Sequence, residues 1–202
     1  MKRICAAVLI LCLLLPAVSL AWRAGDEVVF GSYEQDGNIL NGKEPIQWIV
    51  LKSSGNELTL LSKYVLDART FSGGWDEYSA STIRRWLTEI FVNDAFSYDE
   101  QRKIIPATGR NDKVWLLHAN EVSSYNLSRL GAIYGIPTQY AIDRGLEYDG
   151  FVSAWWLRGS NEYKVNIVSL EGKVSAGNVY PSPCNNVLGV RPAIVVQASA
   201  VN

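Results

Sequence analysis

The sequence predicts one α+β domain, built mostly from antiparallel strands with a few short helices. Three observations carry this reading. Apolar runs of strand length fill the first and last thirds of the chain, and helical spacing appears between them. No linker, internal repeat or low-complexity block divides them. The 202 residues, 48% hydrophobic and 19% charged, suffice for one sizeable core and suit neither disorder nor a coiled coil.

The chain opens on a targeting segment. Lys2 and Arg3 are a short basic start, Ile4 to Leu15 is unbroken apolar sequence, and Pro16 breaks it. Ser19-Leu20-Ala21 then puts small residues at the cleavage positions of a secretory signal peptide. The apolar run is shorter than the ~20 residues a membrane-spanning helix needs. Cys12 also follows Leu9-Ile10-Leu11 rather than the small residues of a lipidation site. The reading is a signal peptide over 1–21 and a domain over 22–202, secreted to the periplasm or beyond, with no membrane span in the mature chain. Cutting removes two basic residues, so the formal charge goes from −1 to −3 and no global basic footprint for nucleic acid exists. Cys5 and Cys12 leave with the signal. Cys184 is then the one mature cysteine, and an internal disulfide is excluded.

Element by element, Val28-Val29-Phe30 reads as a first strand. Ile46 to Leu51 and Leu58 to Leu61 form a hairpin around Ser53-Ser54-Gly55-Asn56. Thr82 to Phe91 is the best helix, because Ile83, Trp86, Leu87, Ile90 and Phe91 make one apolar face at 3.6-residue spacing. Ser79 or Ser81 caps it. Ser97 and Glu100 are a capping box for a short helix through Ile104. Lys113 to Leu117 is a strand, Asn120 caps a helix from Glu121, and Thr138 to Arg144 is a helix closed by Gly145. Ser153 to Leu157 and Tyr163 to Ser169 are strands. After the turn Leu170 to Lys173, Val174 begins a partner strand. Val190 to Val196 closes the domain, and Pro192 inside it argues for an edge or a bulge.

Catalytic and metal motifs are sparse. His118 is the one histidine, no Gly-x-Ser-x-Gly elbow occurs, and one mature cysteine beside one histidine does not make a zinc site. No phosphate-cradling loop or dinucleotide fingerprint is present. Asp76-Glu77 and Glu147-x-Asp149 offer oxygens that suit calcium, without EF-hand spacing. No cofactor is therefore assigned, calcium being the one ion the loop acids would suit. Aromatics are the informative excess, with seven Trp and ten Tyr. Trp48, Trp86 and Trp115 lie in periodic elements and read as core. Strand alternation sends Trp155 and Trp156 to opposite faces, one buried and one exposed or under a loop. Trp75, beside Gly73-Gly74, is the freest ring. Aromatic platforms next to polar groups suit the apolar faces and hydroxyls of sugars. The candidate ligand-binding residues are thus Trp75, Asp76, Tyr78, Trp155, Trp156 and Arg158.

Several segments in order carry a family likeness. They are Phe30-Gly31-Ser32-Tyr33-Glu34-Gln35, Glu44-Pro45-Ile46-Gln47-Trp48-Ile49-Val50-Leu51, Leu61 to Asp67, and Ser81-Thr82-Ile83-Arg84-Arg85-Trp86-Leu87. Asn93-x-x-Phe96, Asp112 to Leu117 and Pro137-Thr138-x-Tyr140-Ala141 follow. Trp155-Trp156-Leu157-Arg158-Gly159-Ser160 and Gly189-Val190-Arg191-Pro192-Ala193-Ile194 complete the set. Together they resemble a bacterial extracellular family catalogued as domain of unknown function 6273, over nearly the whole mature chain. The resemblance implies a compact fold like that of C-type lectins and sulfatase-modifying factors, and carries no known activity. The calcium motifs Glu-Pro-Asn and Trp-Asn-Asp of sugar-binding lectins are not in this sequence. The cysteine pair of the formylglycine-generating enzymes has only Cys184 to match it. Arg84, Arg158 and Arg191 recur in the matching segments, where a guanidinium beside Trp anchors loops or meets a ligand.

The leading functional expectation is a secreted, non-enzymatic recognition domain for a glycan or a cell-surface protein. An enzyme of the sulfatase-modifying type or a hydrolase is the alternative, and it requires His118, Cys184 or two carboxylates to converge. A protein-interaction domain is the third, and a contiguous exposed apolar patch would mark it.

Overall fold

The computed structural model describes residues 22–72, 77–107, 111–161, 164–175 and 182–201. The leader 1–21, the Gly73–Asp76 loop with Trp75, and Tyr163 lie outside the described residues, as do the readings placed on them.

Strands dominate both ends, as the pattern predicts. They are β1 (Glu27–Tyr33), β2 (Glu44–Ser54), β3 (Glu57–Ser62), β4 (Tyr64–Val65), β5 (Asp67–Thr70), β6 (Ile104–Ile105) and β7 (Ile136–Pro137). Then come β8 (Trp155–Asn161), β9 (Lys164–Val168), β10 (Ser182–Pro183), β11 (Val187–Val190) and β12 (Ala193–Gln197). One sheet has the order β1-β2-β3-β12-β6, with every neighbouring pair antiparallel. A second has the order β10-β9-β8-β11-β5 and is antiparallel apart from β8 and β11. The two-residue strands β4 and β7 pair in parallel. The architecture is α+β and mostly antiparallel. Among the described residues no helix is long and apolar enough to cross a membrane.

Both faces of the first sheet are covered. Ile46, Trp48 and Val50 of β2, with Leu58 and Leu60 of β3, enter one core, while Ile49, Leu51 and Leu61 enter a second. This explains why these strands read as continuous apolar runs rather than clean alternation. In β1 the register shifts between Val29 and Ser32, at Gly31. Gly31 has φ +71°, and a Cβ there would stand 2.5 Å from the Phe96 ring, so only glycine fits this bulge.

The main helical segment departs from 3.6-residue spacing. It runs α1 (Thr82–Arg85), a π-helical stretch (Trp86–Phe91) and α2 (Val92–Ala95). Ser81 caps it, its hydroxyl accepting from the Arg84 N–H at 3.3 Å. The buried pairs are Trp86-Leu87, Phe91-Val92 and Ala95-Phe96, spaced by five residues and then four. A π turn takes one residue more than an α turn, so it rotates Ile90 off the predicted face. Ile90 is 59% exposed, and Val92 takes the inward position.

Four other expectations shift. The Ser97–Glu100 capping box is present, but α3 spans only Tyr98–Gln101, because Ile104 pairs with Val196 of β12. The stretch Lys113 to Leu117 has one bridge, Trp115 to Ala193, rather than a strand. His118, not Asn120, caps α4 (Ala119–Ser124), its Nδ1 accepting from the Asn120 N–H while Glu121 accepts from the His118 N–H. The predicted closing strand is two strands in different sheets, with Arg191-Pro192 as the crossover. Proline is tolerated there because neither ladder needs its missing N–H, and its carbonyl accepts from the Ser62 N–H at 2.9 Å. The helix after Thr138 forms as predicted, as α5 (Gln139–Asp143).

Candidate functional site

The sequence-predicted site residues divide between the interior and the surface. Trp155 and Trp156 do point to opposite faces of β8, but both faces are core, Trp156 in the first and Trp155 in the second. Each ring is wholly buried. Their indole N–H groups donate to the carbonyls of Ile133 at 3.1 Å and Arg69 at 2.8 Å. This corrects the expectation of a free ring on that strand: alternation exposes a side chain only when one sheet face meets solvent. Tyr78 is half-buried against Phe71, and its hydroxyl accepts from the Leu116 N–H at 3.3 Å. Burial pushes its phenol pKa up. Arg158 is half-buried and pairs with Glu121 of α4 at 2.5 Å. Trp75 and Asp76 lie outside the described residues.

The arginines of the family-like segments serve as ties. Arg84 grips Asp112 with two bonds, 2.8 and 2.7 Å. Arg191 is fully buried and donates to the carbonyls of Ser62, Lys63, Ala132 and Tyr134. Burial lowers its pKa to about 9, which leaves it charged at neutral pH. Of the groups an enzyme reading requires, Cys184 is buried in the first core and His118 caps α4 through Nδ1.

Loop acids behave as loop closures. Asp149 accepts from the N–H groups of Phe151 and Val152, which lower its pKa. Three acids unremarked as a group in the sequence, Glu34, Asp36 and Glu44, bring oxygens within 4.8 Å of one another and are near enough to share a cation. Each already accepts a backbone N–H, from Gly37, Asn38 and Gln35 respectively. Desolvation and the Glu44 charge raise the Glu34 pKa.

A concavity of mixed polarity, with two arginines in its lining, was not read from the sequence. A cleft of about 460 Å³ opens between β5, the start of α1 and β11. Ala68, Arg69, Thr70, Thr82, Ile83 and Trp86 line it, with Arg144 beyond the end of α5 and Val187 at the rim. Beneath it lies the fully buried Asp67. Asp67 accepts from the Tyr33 hydroxyl at 2.6 Å and from Arg69 at 3.1 Å, and Arg144 approaches it at 3.4 Å. The Arg69 guanidinium also sits over the Trp86 ring, 4.1 Å from its centroid. A stacked, ion-paired guanidinium is held in place before any ligand arrives. Sequence offered one clue, the i, i+2 spacing of Asp67 and Arg69, which puts both on one side of a strand. Tyr33, Trp86 and Arg144 come from distant segments, and nothing local announces them.

Comparison with known proteins adds one result. No curated protein and no solved structure matches the chain. The model of one family, described as a domain of unknown function (DUF6273), matches residues 55–198, which is more than half of the chain and takes in β5, the helical segment, β8 and β11. The cleft therefore lies within the matched region, and the protein belongs to the DUF6273 family.

Proposed function

We propose that the protein is an exported, non-enzymatic recognition domain on a C-type lectin-like scaffold, binding a glycan or a surface partner in the Arg69 cleft. One observation carries the reading. Arg69 is fixed on the cleft wall by Asp67 at 3.1 Å and by Trp86 at 4.1 Å, so a polar anchor is preorganised in a concave, mixed-polarity site. Arg69 and Arg144 share the lining with the hydroxyl-bearing Thr70 and Thr82 and with apolar Ala68 and Ile83. Guanidiniums and threonine hydroxyls orient a ligand and do not exchange protons near neutral pH. Export rests on the leader, with its basic start, apolar run and Ser19-Leu20-Ala21.

The test is a glycan array with the purified protein, in calcium and in chelator, together with N-terminal sequencing of the mature form. Selective binding that Thr70→Ala or Arg144→Gln weakens in a protein of unchanged stability supports the reading, and a mature terminus at Trp22 supports export. Binding lost in chelator would move the site to the loop acids. No binding to any glycan, or binding indifferent to the cleft variants, would retire it.

A second reading has its own observation. Tyr134 and Ile136 are exposed on either side of Gly135, which bridges to Ser153, and Phe151 close by is 82% exposed. Such a patch suits a protein partner. Pull-down lost on Phe151→Ser would favour it.

A further inference from the structure

The cleft carries more guanidinium than carboxylate among the described residues. Asp67 faces two guanidiniums, Arg69 and Arg144, and it is the one carboxylate within ion-pairing distance of either among the described residues. The other ion pairs described in the chain match one acid with one base: Lys43 with Asp94, Lys63 with Glu27, Arg84 with Asp112, and Arg158 with Glu121. Among the described residues the cleft thus holds two guanidiniums against one carboxylate, in a protein whose formal charge is −1. The excess is therefore local and not a background of the whole surface.

The carboxylate itself has no further capacity. A carboxylate offers about four lone-pair sites. The Oδ2 atom of Asp67 accepts from the Tyr33 hydroxyl and from Arg69. Its Oδ1 atom accepts from the Ala68 N–H at 2.7 Å and has Arg144 Nε at 3.4 Å. The remaining guanidinium donors cannot be served by Asp67. Both side chains stay partly exposed in the cleft lining, Arg69 at 27% and Arg144 at 42%, so donors that Asp67 does not bind are within reach of a ligand. A charged donor given an ionised acceptor makes a stronger hydrogen bond than a neutral pair, so a ligand that supplies one gains affinity.

We infer that the ligand of this cleft bears an oxyanion, a carboxylate or a sulfate or phosphate ester, held between Arg69 and Arg144. The inference rests on the recognition reading and names the ligand's chemistry. An acidic sugar residue would meet both: the anion takes the uncompensated charge, and the ring hydroxyls meet Thr70 and Thr82. The locked Arg69 gives direction, and the more exposed Arg144 closes on the anion from the other side.

The experiment is calorimetric titration of the purified full protein with glucuronate, inorganic sulfate, inorganic phosphate and, as the uncharged counterpart, glucose. Wild type, Arg144→Gln and Arg144→Lys are compared with Arg129→Gln, which removes the same charge from an exposed arginine outside the cleft lining. Binding of at least one anion is expected. It should weaken with salt, fall about tenfold or more in Arg144→Gln, recover in part in Arg144→Lys and stay unchanged in Arg129→Gln. Which anion binds best distinguishes the carboxylate source from the sulfate and phosphate sources. Equal affinity in Arg144→Gln and wild type would overturn the inference, and so would glucose binding without any anion binding. Glucose binding, or neutral glycans on the array, would leave the recognition reading standing. Silence toward every anion and every glycan would remove both.

Discussion

Arg191 lies over the indole of Trp155, 4.9 Å from the ring centroid, and both side chains are fully buried. The pair explains a feature of the fold that no single element does. Arg191 is the crossover residue between the two larger sheets, and its guanidinium ties the carbonyls of Ser62 and Lys63 to those of Ala132 and Tyr134. A buried cation without a carboxylate is tolerated because carbonyl oxygens and an aromatic face replace its hydration.

Replacing Arg191 is therefore expected to cost more than about 3 kcal/mol, since several buried carbonyls lose a charged donor at once. Lysine should not rescue it, because a point charge cannot span carbonyls that a planar fork reaches. Urea unfolding of Arg191→Lys and Arg191→Leu measures this. A loss under about 1 kcal/mol in either would show that the tie contributes little.

The π-helical stretch makes neighbouring residues behave oppositely. Ile90→Lys should change stability by no more than about 0.5 kcal/mol, as for an ordinary surface position. Phe91→Ala should cost about 3–5 kcal/mol, as for a large buried aromatic. Regular α-helical phasing would make both costly, so similar losses in the two variants would contradict the π turn.

Trp155 and Trp156 are core residues. Phe71 packs on Trp156 at 5.5 Å between ring centroids. Trp156→Ala should lower stability by about 3–5 kcal/mol. Any loss of ligand binding should track the unfolded fraction, which denaturant curves measured beside the binding assay will reveal. A stable Trp156→Ala protein that has lost only binding would return this ring to the site.

Alkaline pH should destabilise the fold. Burial, with the Asp67 charge next, raises the Tyr33 phenol pKa far above its ordinary 10.0, and burial raises Tyr78 in the same direction. Above about pH 10 the unfolded chain releases protons that the folded chain keeps, so stability falls as pH rises. Below that value both states are protonated and these groups add no pH dependence. Thermal melts between about pH 8 and 11 test this, and Tyr33→Phe should show a shallower alkaline fall. An unchanged slope in that variant would remove Tyr33 as the cause.

Much of the element order was legible because local physics decides it. The β2–β3 hairpin, the Ser81 and Ser97 caps and the α5 helix follow from turn chemistry, side-chain capping and periodicity within a few residues. The misplaced elements share a different cause. Ile104 left its helix for a ladder with β12, and Val190 to Val196 became two strands, because partners distant in sequence claimed their backbone groups. Ile90 falls on the apolar face at 3.6-residue spacing, and the π turn, which leaves no local mark in the sequence, rotates it outward.

The sequence by itself determined an α+β domain rich in antiparallel strands, the segments that carry its family membership, and the tryptophans at Trp48, Trp86 and Trp115 that fill its core. Only the tertiary structure decided which face of each strand meets solvent, and so buried both Trp155 and Trp156. It also decided the cleft, where Tyr33, Asp67, Arg69, Trp86 and Arg144 gather from four stretches of chain. Periodicity reports a residue's neighbours along its own element, whereas charge compensation is a property of groups that meet only once the chain has packed.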